Sequence, residues 1–331
     1  MRFSHDLRKF SPHGVNSTRG TAFAAMKIDG IASQRKICMV PGSVAVPTNE
    51  QSGQPSLSIR ASSGIIQNPL GYLGSKRGGM RVRPGVELAG LSDVGCQREN
   101  NEDRYSYWEP ASDSEFPMKG RLAIVADGMG GYEGGQEASR IAVEVIEQVY
   151  ASAVEGDPRA WLLQGFQSAH QSILEFAAKY PDLHGMGTTC TAMALLDHQL
   201  YFAHVGDSRL YLLRGTSISR LTRDHSYVSR LVQNGVLRAE EAESHPQRHI
   251  LTAALGAGNN VTPDSPPQPV ALESGDALVL CTDGLWSLLS ETEIQSAVAG
   301  KTAAEICDAL VDTARKRGGP DNITVQVLRI A

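Results

Sequence analysis

The chain has 331 residues, of which 41% are hydrophobic and 20% charged, so a sizeable core is affordable and wholesale disorder is excluded. No run of about 18 apolar residues occurs, so no membrane span is expected, and a net charge of −5 argues against a protein built to wrap nucleic acid. Five widely separated cysteines (Cys38, Cys96, Cys190, Cys281 and Cys307) without a Cys-x-x-Cys fit reduced cytosolic thiols and disfavour a disulfide framework or a zinc ribbon.

The charge is unevenly spread. Residues 1–80 carry ten Lys and Arg against three Asp and Glu, whereas residues 81–331 carry 21 basic and 33 acidic residues. The first segment shows no sustained helical or strand period, and it ends in Gly71-Tyr72-Leu73-Gly74-Ser75-Lys76-Arg77-Gly78-Gly79, a basic flexible linker. Residues 1–83 therefore read as a basic tail without a packed core, with an organelle transit segment or a start at Met26 or Met80 as the alternatives. Residues 84–331 read as one globular domain.

In chain order, Val86–Val94 suggests a strand, and Tyr105–Trp108 another. Arg121–Ala126 is an apolar run followed by Asp127-Gly128 and a glycine-rich stretch. Ala138, Ile141, Ala142, Val145, Ile146, Val149 and Tyr150 then recur at three- and four-residue steps, the stripe of a helix with one buried face. A second helical region covers 158–179. Strands follow at Thr188–Leu196, Leu200–Val205 and Arg209–Arg214, the last two expected to form a hairpin through Gly206-Asp207-Ser208 with a structural Asp207–Arg209 network. Residues 226–256 are polar and irregular with short helical pieces. Ala277–Thr282 is a second apolar run, again ending in Asp-Gly, at Asp283-Gly284. Two helices with capping boxes (Ser290 with Glu293, Thr302 with Glu305) and a strand over Ile323–Ile330 complete the chain. Grouped strands with short connections predict layered antiparallel sheets with helices outside.

The repeated device of an apolar run ending in Asp-Gly is the main chemical signal. A carboxylate at the end of a buried strand is held rigidly, and the glycine is expected to let the chain turn sharply and approach a ligand. Alone, such a dipeptide is an ordinary turn. Here it occurs twice, with Asp321 before the last strand and Glu102-Asp103 before Tyr105. If these carboxylates converge, they repel one another and call for a hard divalent cation, Mg²⁺ or Mn²⁺ in preference to zinc. Gly130-Gly131-Tyr132-Glu133-Gly134-Gly135 fits neither a dinucleotide fingerprint nor a P-loop and reads as a tight turn. Ser208 lacks a nucleophile elbow.

These residues carry a resemblance. Ser92-Asp93-Val94-Gly95-Cys96-Gln97-Arg98-Glu99-Asn100-Asn101-Glu102-Asp103 resembles the first signature of the metal-dependent protein phosphatase 2C family, and Val125-Ala126-Asp127-Gly128-Met129-Gly130-Gly131 the second. Gly187–Thr191, Gly206–Arg209, Leu221–Ser226, Leu251–Gly256, Cys281–Trp286 and Asp321–Thr324 are similar to the remaining motifs, in order. The match spans about residues 84–331, and the Asp-Gly-Met-Gly-Gly form is closer to the bacterial branch.

The resemblance implies an α+β fold of four layers, α-β-β-α, with a central antiparallel β-sandwich flanked by helix pairs. It implies a serine/threonine protein phosphatase with two Mn²⁺ or Mg²⁺ ions and a third, weaker one, hydrolysing phosphoserine and phosphothreonine through a hydroxide bridging the two core ions. By residue match Asp127 bridges both ions, Asp283 and Asp321 complete one, the Gly128 carbonyl serves the other, and Glu102 and Asp103 hold coordinated waters. Asp224, with Asp283, matches the third-ion position, and Arg98 is implied to grip the phosphate with its planar fork. Implied partners are phosphorylated proteins, substrates of a serine/threonine kinase, met in a bacterial cytoplasm by a monomer without nucleic-acid or membrane partners. Met129 stands where animal members carry a general-acid His and cannot donate a proton. His225 is read as a structural donor, and residues 226–256 as a flap that tunes substrate access. The alternative from another class is a phosphoprotein-binding pseudophosphatase. A phosphatase of the same fold serving one narrow partner is the other.

Overall fold

The computed structural model describes residues 82–130 and 133–331. Residues 1–81 of the expected 1–83 tail, and Gly131-Tyr132 of the glycine-rich stretch, lie outside the described residues. Two antiparallel sheets form the centre. The first contains β1 (Val86–Asp93), β7 (Arg209–Arg214), β8 (Ser217–Arg220), β10 (Ala277–Cys281) and β11 (Ile323–Ile330), in the order β1-β11-β10-β7-β8. The second contains β2 (Asp103–Trp108), β3 (Arg121–Met129), β5 (Cys190–Leu196), β6 (Gln199–Val205) and β9 (Val270–Ala271) in that order, with the short β4 (Gly187–Thr188) paired to the end of β3. The helices are α1 (Phe116–Lys119), α2 (Gly134–Ser152), α3 (Pro158–Lys179), α4 (Tyr227–Gln233), α5 (Ala239–Glu243), α6 (Asp283–Trp286), α7 (Glu291–Val298) and α8 (Ala303–Lys316).

Strand periodicity explains why the apolar runs lack polar alternation. Successive side chains leave a strand on opposite faces. In β3, Leu122, Ile124 and Ala126 pack with Ile141, Ile146 and Tyr150 of α2 and with Leu162, Phe166 and Ile173 of α3. Ala123 and Val125 turn inward and meet Leu210, Leu278, Leu280 and Leu328 of the other sheet. In β10 the roles mirror these: Leu278 and Leu280 face inward, and Ala277, Val279 and Cys281 pack against Ile306, Leu310 and Ala314 of α8. Both faces are apolar because each meets a further apolar layer, at about 2 kcal/mol per fully buried Leu or Ile. This is the expected four-layer sandwich, with α2 and α3 on one side and α7 and α8 on the other.

The helix ends follow their caps. Ser290 and Thr302 each accept from the backbone N–H three residues on, and Glu293 and Glu305 return the bond. Arg83 is already tied to the domain: its guanidinium donates to the Pro110 carbonyl at 2.5 Å and to Asp113 at 2.9 Å.

One expectation fails. β6 and β7 do not pair with each other; they belong to different sheets. Gly206-Asp207-Ser208 is therefore a crossover between sheets, not a hairpin turn. Both flanking strands are apolar on two faces, and the shortest route that buries both passes from one layer to the other.

Candidate metal centre

All the acidic residues singled out in the sequence reach one end of the sandwich. Asp103 and Asp127 are direct cross-strand partners in the β2–β3 ladder. Asp283 follows β10, Asp321 precedes β11, and the antiparallel pairing of those strands brings the two to the same edge. Asp127 and Asp283 are close enough for each carboxyl to act on the other's protonation.

The electrostatic consequence is visible in the protonation equilibria. Burial, only partly offset by hydroxyl donors and reinforced by Asp283 and Asp321, pushes the Asp103 carboxyl up to about 7. Burial, then Asp103, Asp283 and Asp207, holds Asp127 well above the usual carboxylate range. Asp283 is raised by burial and by Asp321, and Glu102 by burial, with Arg98 opposing. Thr282 Oγ1 donates to Asp103 Oδ2 at 2.9 Å. Asp103 Oδ1 and Asp283 Oδ1 are buried with no hydrogen-bond partner.

The two Asp-Gly pairs do not act as expected. Gly128 continues β3 and Gly284 lies inside α6, so neither makes a sharp turn. Each is glycine because another backbone lies on it. A Cβ at Gly128 would stand 2.1 Å from the Gly135 carbonyl oxygen, and one at Gly284 would stand 1.9 Å from that of Asn322. The second Gly thus locks the Asp283 turn onto the segment that carries Asp321.

Residues outside the original set hold this arrangement. Thr189 Oγ1 accepts from the Asp127 N–H at 3.1 Å, and the Thr189 N–H donates to the Asp127 carbonyl at 2.8 Å. The buried Asn322 side chain donates to the Val94 and Asn100 carbonyls and accepts from the Glu102 N–H at 2.8 Å. Through Asn322, the loop carrying Arg98 and Glu102 is fixed to the start of β11. Thr189 and Asn322 sit in the quoted motifs, but no spacing rule marks them as supports.

Arg98, half-exposed, places its guanidinium 2.8 Å from Asp321 Oδ2, at the rim of the cluster. Asp224 does not join the cluster with a free carboxylate. Arg209 holds both its oxygens, Nε at 3.0 Å and an Nη at 2.6 Å, and the guanidinium stacks 3.5 Å over the Trp286 ring. The expected Asp207–Arg209 network is thus an Asp224–Arg209 pair. Asp207 is instead a further buried carboxylate, raised well above its usual range by burial and by Asp283 and Asp224. His225 accepts from the Gly206 N–H at Nδ1 and places Nε2 3.2 Å from Asp264, a structural role as expected. Beside it, His204 is buried and held down to about 4 by burial and by His225.

Residues 226–251 leave the sandwich as an excursion containing α4 and α5. Its base is closed by the Ser226–Leu251 bridge and by the Tyr227 N–H donating to the Ile250 carbonyl at 2.8 Å. From this segment His249 reaches back, with Nδ1 4.0 Å from Asp283 Oδ2.

Hard divalent cations fit the residues present. The donors are all oxygen, two buried carboxylate oxygens lack partners, and the carboxyls raise one another. Among the described residues no three His, Cys, Asp or Glu side chains already stand at ligand spacing, so this is a shared crevice and not a finished coordination sphere. Four cysteines, Cys96, Cys190, Cys281 and Cys307, are free, and no described helix is long and apolar enough to cross a membrane.

Comparison with known proteins agrees with this geometry. The Protein phosphatase 2C family profile matches residues 97–325. Protein phosphatase PhpP of Streptococcus pneumoniae is 37% identical over 248 residues, covering 73% of this chain and 97% of its own. The crystal structure of the Mycobacterium tuberculosis serine/threonine phosphatase PstP superposes with a TM-score of 0.67 at 36% identity, over 74% of this chain and 99% of that one. A structure of the PstP catalytic domain in complex with two manganese ions gives a TM-score of 0.64 at 34% identity, over 75% and 99%. The chain belongs to the protein phosphatase 2C family, in its bacterial-type serine/threonine phosphatase branch.

Proposed function

We propose that the carboxylate crevice is the two-metal centre with which this metal-dependent serine/threonine protein phosphatase hydrolyses phosphoserine and phosphothreonine in proteins. The observation that carries this reading is the convergence of Asp103, Asp127 and Asp283 as mutually repelling carboxyls beside Asp321. Asp127, Asp283, Asp321 and the Gly128 carbonyl would hold two Mn²⁺ or Mg²⁺ ions, and Glu102 and Asp103 would accept from their waters. Once bound, such ions supply an acidified water and offset the phosphate charge. Arg98 is placed to bind phosphate oxygens on leaving Asp321. For a third, weaker ion, Asp207 beside Asp283 is the better-supported ligand, because Arg209 holds both oxygens of Asp224.

We assign the chain a signalling role in a bacterial cytoplasm, reversing the action of a serine/threonine kinase as a monomer. The basic residues up to 81 are assigned to a tail that turnover does not need, since Arg83 already bonds to the domain. The intact Asp127, Asp283 and Asp321 speak against a pseudophosphatase. The test is hydrolysis of an aryl phosphate and a phosphothreonine peptide with and without Mn²⁺. Turnover should require the metal and fall by about a thousand-fold or more in Asp127→Ala and Asp283→Ala, since the reacting groups lose their placement. Metal-independent turnover would refute the assignment.

A further inference from the structure

We propose that His249 is a phosphate-binding residue of this site, donating an imidazole N–H to the substrate phosphate alongside Arg98. The inference rests on assigning Asp283 and Asp321 to the metal centre. Two exposed nitrogen donors flank the carboxylates, and each addresses a different one. Arg98, from the β1–β2 loop, sits 2.8 Å from Asp321, and His249, from the excursion at 226–251, sits 4.0 Å from Asp283. A phosphate drawn to ions held by these aspartates would meet a nitrogen donor beside each of them. Both side chains are about half-exposed, 51% for Arg98 and 55% for His249, so neither is committed to the core.

The backbone next to His249 is anchored. The next residue, Ile250, accepts from the Tyr227 N–H at 2.8 Å and donates to the Gln247 carbonyl at 3.2 Å. Leu251 then bridges Ser226 at the base of the excursion. His249 thus immediately precedes the point where the excursion is tied back to the sandwich. Chemistry supports the assignment from the other side. Met129 has no proton to donate, and its methyl group lies against Gly187. An imidazole N–H to a phosphate oxygen is a charge-assisted hydrogen bond, whose loss costs about ten-fold in affinity.

The test compares His249→Ala and His249→Gln with the wild-type chain, all loaded with Mn²⁺. Calorimetry measures binding of inorganic phosphate and of Mn²⁺, and turnover is followed on p-nitrophenyl phosphate and on a phosphothreonine peptide. His249→Ala should weaken inorganic phosphate binding about ten-fold and raise KM by a similar factor for both substrates. Its kcat should change less than about two-fold and its Mn²⁺ affinity should be preserved. His249→Gln, which keeps an N–H donor, should recover most of the loss. Unchanged phosphate affinity in His249→Ala would overturn the proposal. So would a loss confined to the peptide, which would place the ring on the leaving group or the polypeptide, and so would a loss of Mn²⁺ affinity. Wild-type Mn²⁺-dependent turnover is the control for the parent assignment; without it that assignment fails first, and visibly apart from the His249 result.

Discussion

Asp127, on β3, and Asp224, in the loop between β8 and α4, are both acidic side chains with little exposure, and the protein treats them in opposite ways. Arg209 grips both oxygens of Asp224, Arg220 stands 3.6 Å away, and Trp286 covers the guanidinium. Among the described residues no ion pair or hydrogen bond joins a cationic side chain to Asp127, which faces Asp103, Asp283 and Asp207. The first arrangement is finished by the protein alone. The second stores a repulsion that only protonation or a bound cation can relieve. A carboxylate belongs to structure when its counter-charge comes from the chain, and to function when the chain withholds it.

Stability measurements on metal-stripped protein can break that distinction. Arg209 is only 14% exposed, and Asp224→Ala removes the carboxylate that holds its guanidinium, leaving the Tyr211 hydroxyl, the Trp286 ring and the charge of Asp207. Removing one member of a buried pair costs about 3 kcal/mol, so urea unfolding should show a large loss. Asp127→Asn removes a repelling charge and should leave stability unchanged or raise it, while turnover collapses. Equal destabilisation by both substitutions would show that the two carboxylates do not differ in kind.

A smaller effect follows from pH. A carboxyl whose folded value lies above its unfolded value of about 4 is protonated preferentially in the folded state. Its contribution is therefore fully present below about pH 4 and is lost as pH rises through the folded value. For Asp103 that value is about 7, from burial chiefly and then from Asp283 and Asp321. Each unit of such a shift corresponds to about 1.4 kcal/mol. Without metal, the melting temperature should fall as pH is raised from about 4 to 7. Mn²⁺ should flatten that slope, because it replaces the protons as counter-charge. A metal-free melting temperature that rises steadily across this window would contradict the picture of an uncompensated cluster.

Much of this was legible in the sequence, for reasons that separate cleanly. The layers were readable because apolar periodicity reports burial directly: Leu122, Ile124 and Ala126 against α2 and α3, Leu278 and Leu280 inward. The capping boxes were readable because they are local. What depends on a partner distant in sequence was not. Gly206-Asp207-Ser208 looked like a hairpin because three residues suffice for one; that β6 and β7 lie in different sheets is decided by layers assembled from the whole chain. The same blindness exchanged Asp207 for Asp224 as the uncompensated carboxylate, since only the fold shows which of them meets Arg209. The glycines of the two Asp-Gly pairs were recognised, but their reason was not: the carbonyls of Gly135 and Asn322 that exclude a Cβ are 7 and 38 residues away in the chain. His249 carried no signal at all, being one histidine in an irregular polar stretch.

The finest distinction concerns Arg98, a cation that the chain places at the crevice rim. If its 2.8 Å contact with Asp321 were a structural pair like Arg209–Asp224, its removal would be felt in folding. It is half-exposed, however, and an exposed ion pair contributes about 0–1 kcal/mol. Arg98→Ala should therefore shift the unfolding midpoint barely, and raise KM for an aryl phosphate about ten-fold with a smaller change in kcat, the pattern of lost ground-state phosphate binding. Arg98→Lys should recover only part of the loss, because the ammonium keeps the charge but not the planar fork that meets two phosphate oxygens. A variant that loses stability without changing KM would move Arg98 to the structural side of the comparison. Full recovery by Lys would reduce its role to charge alone.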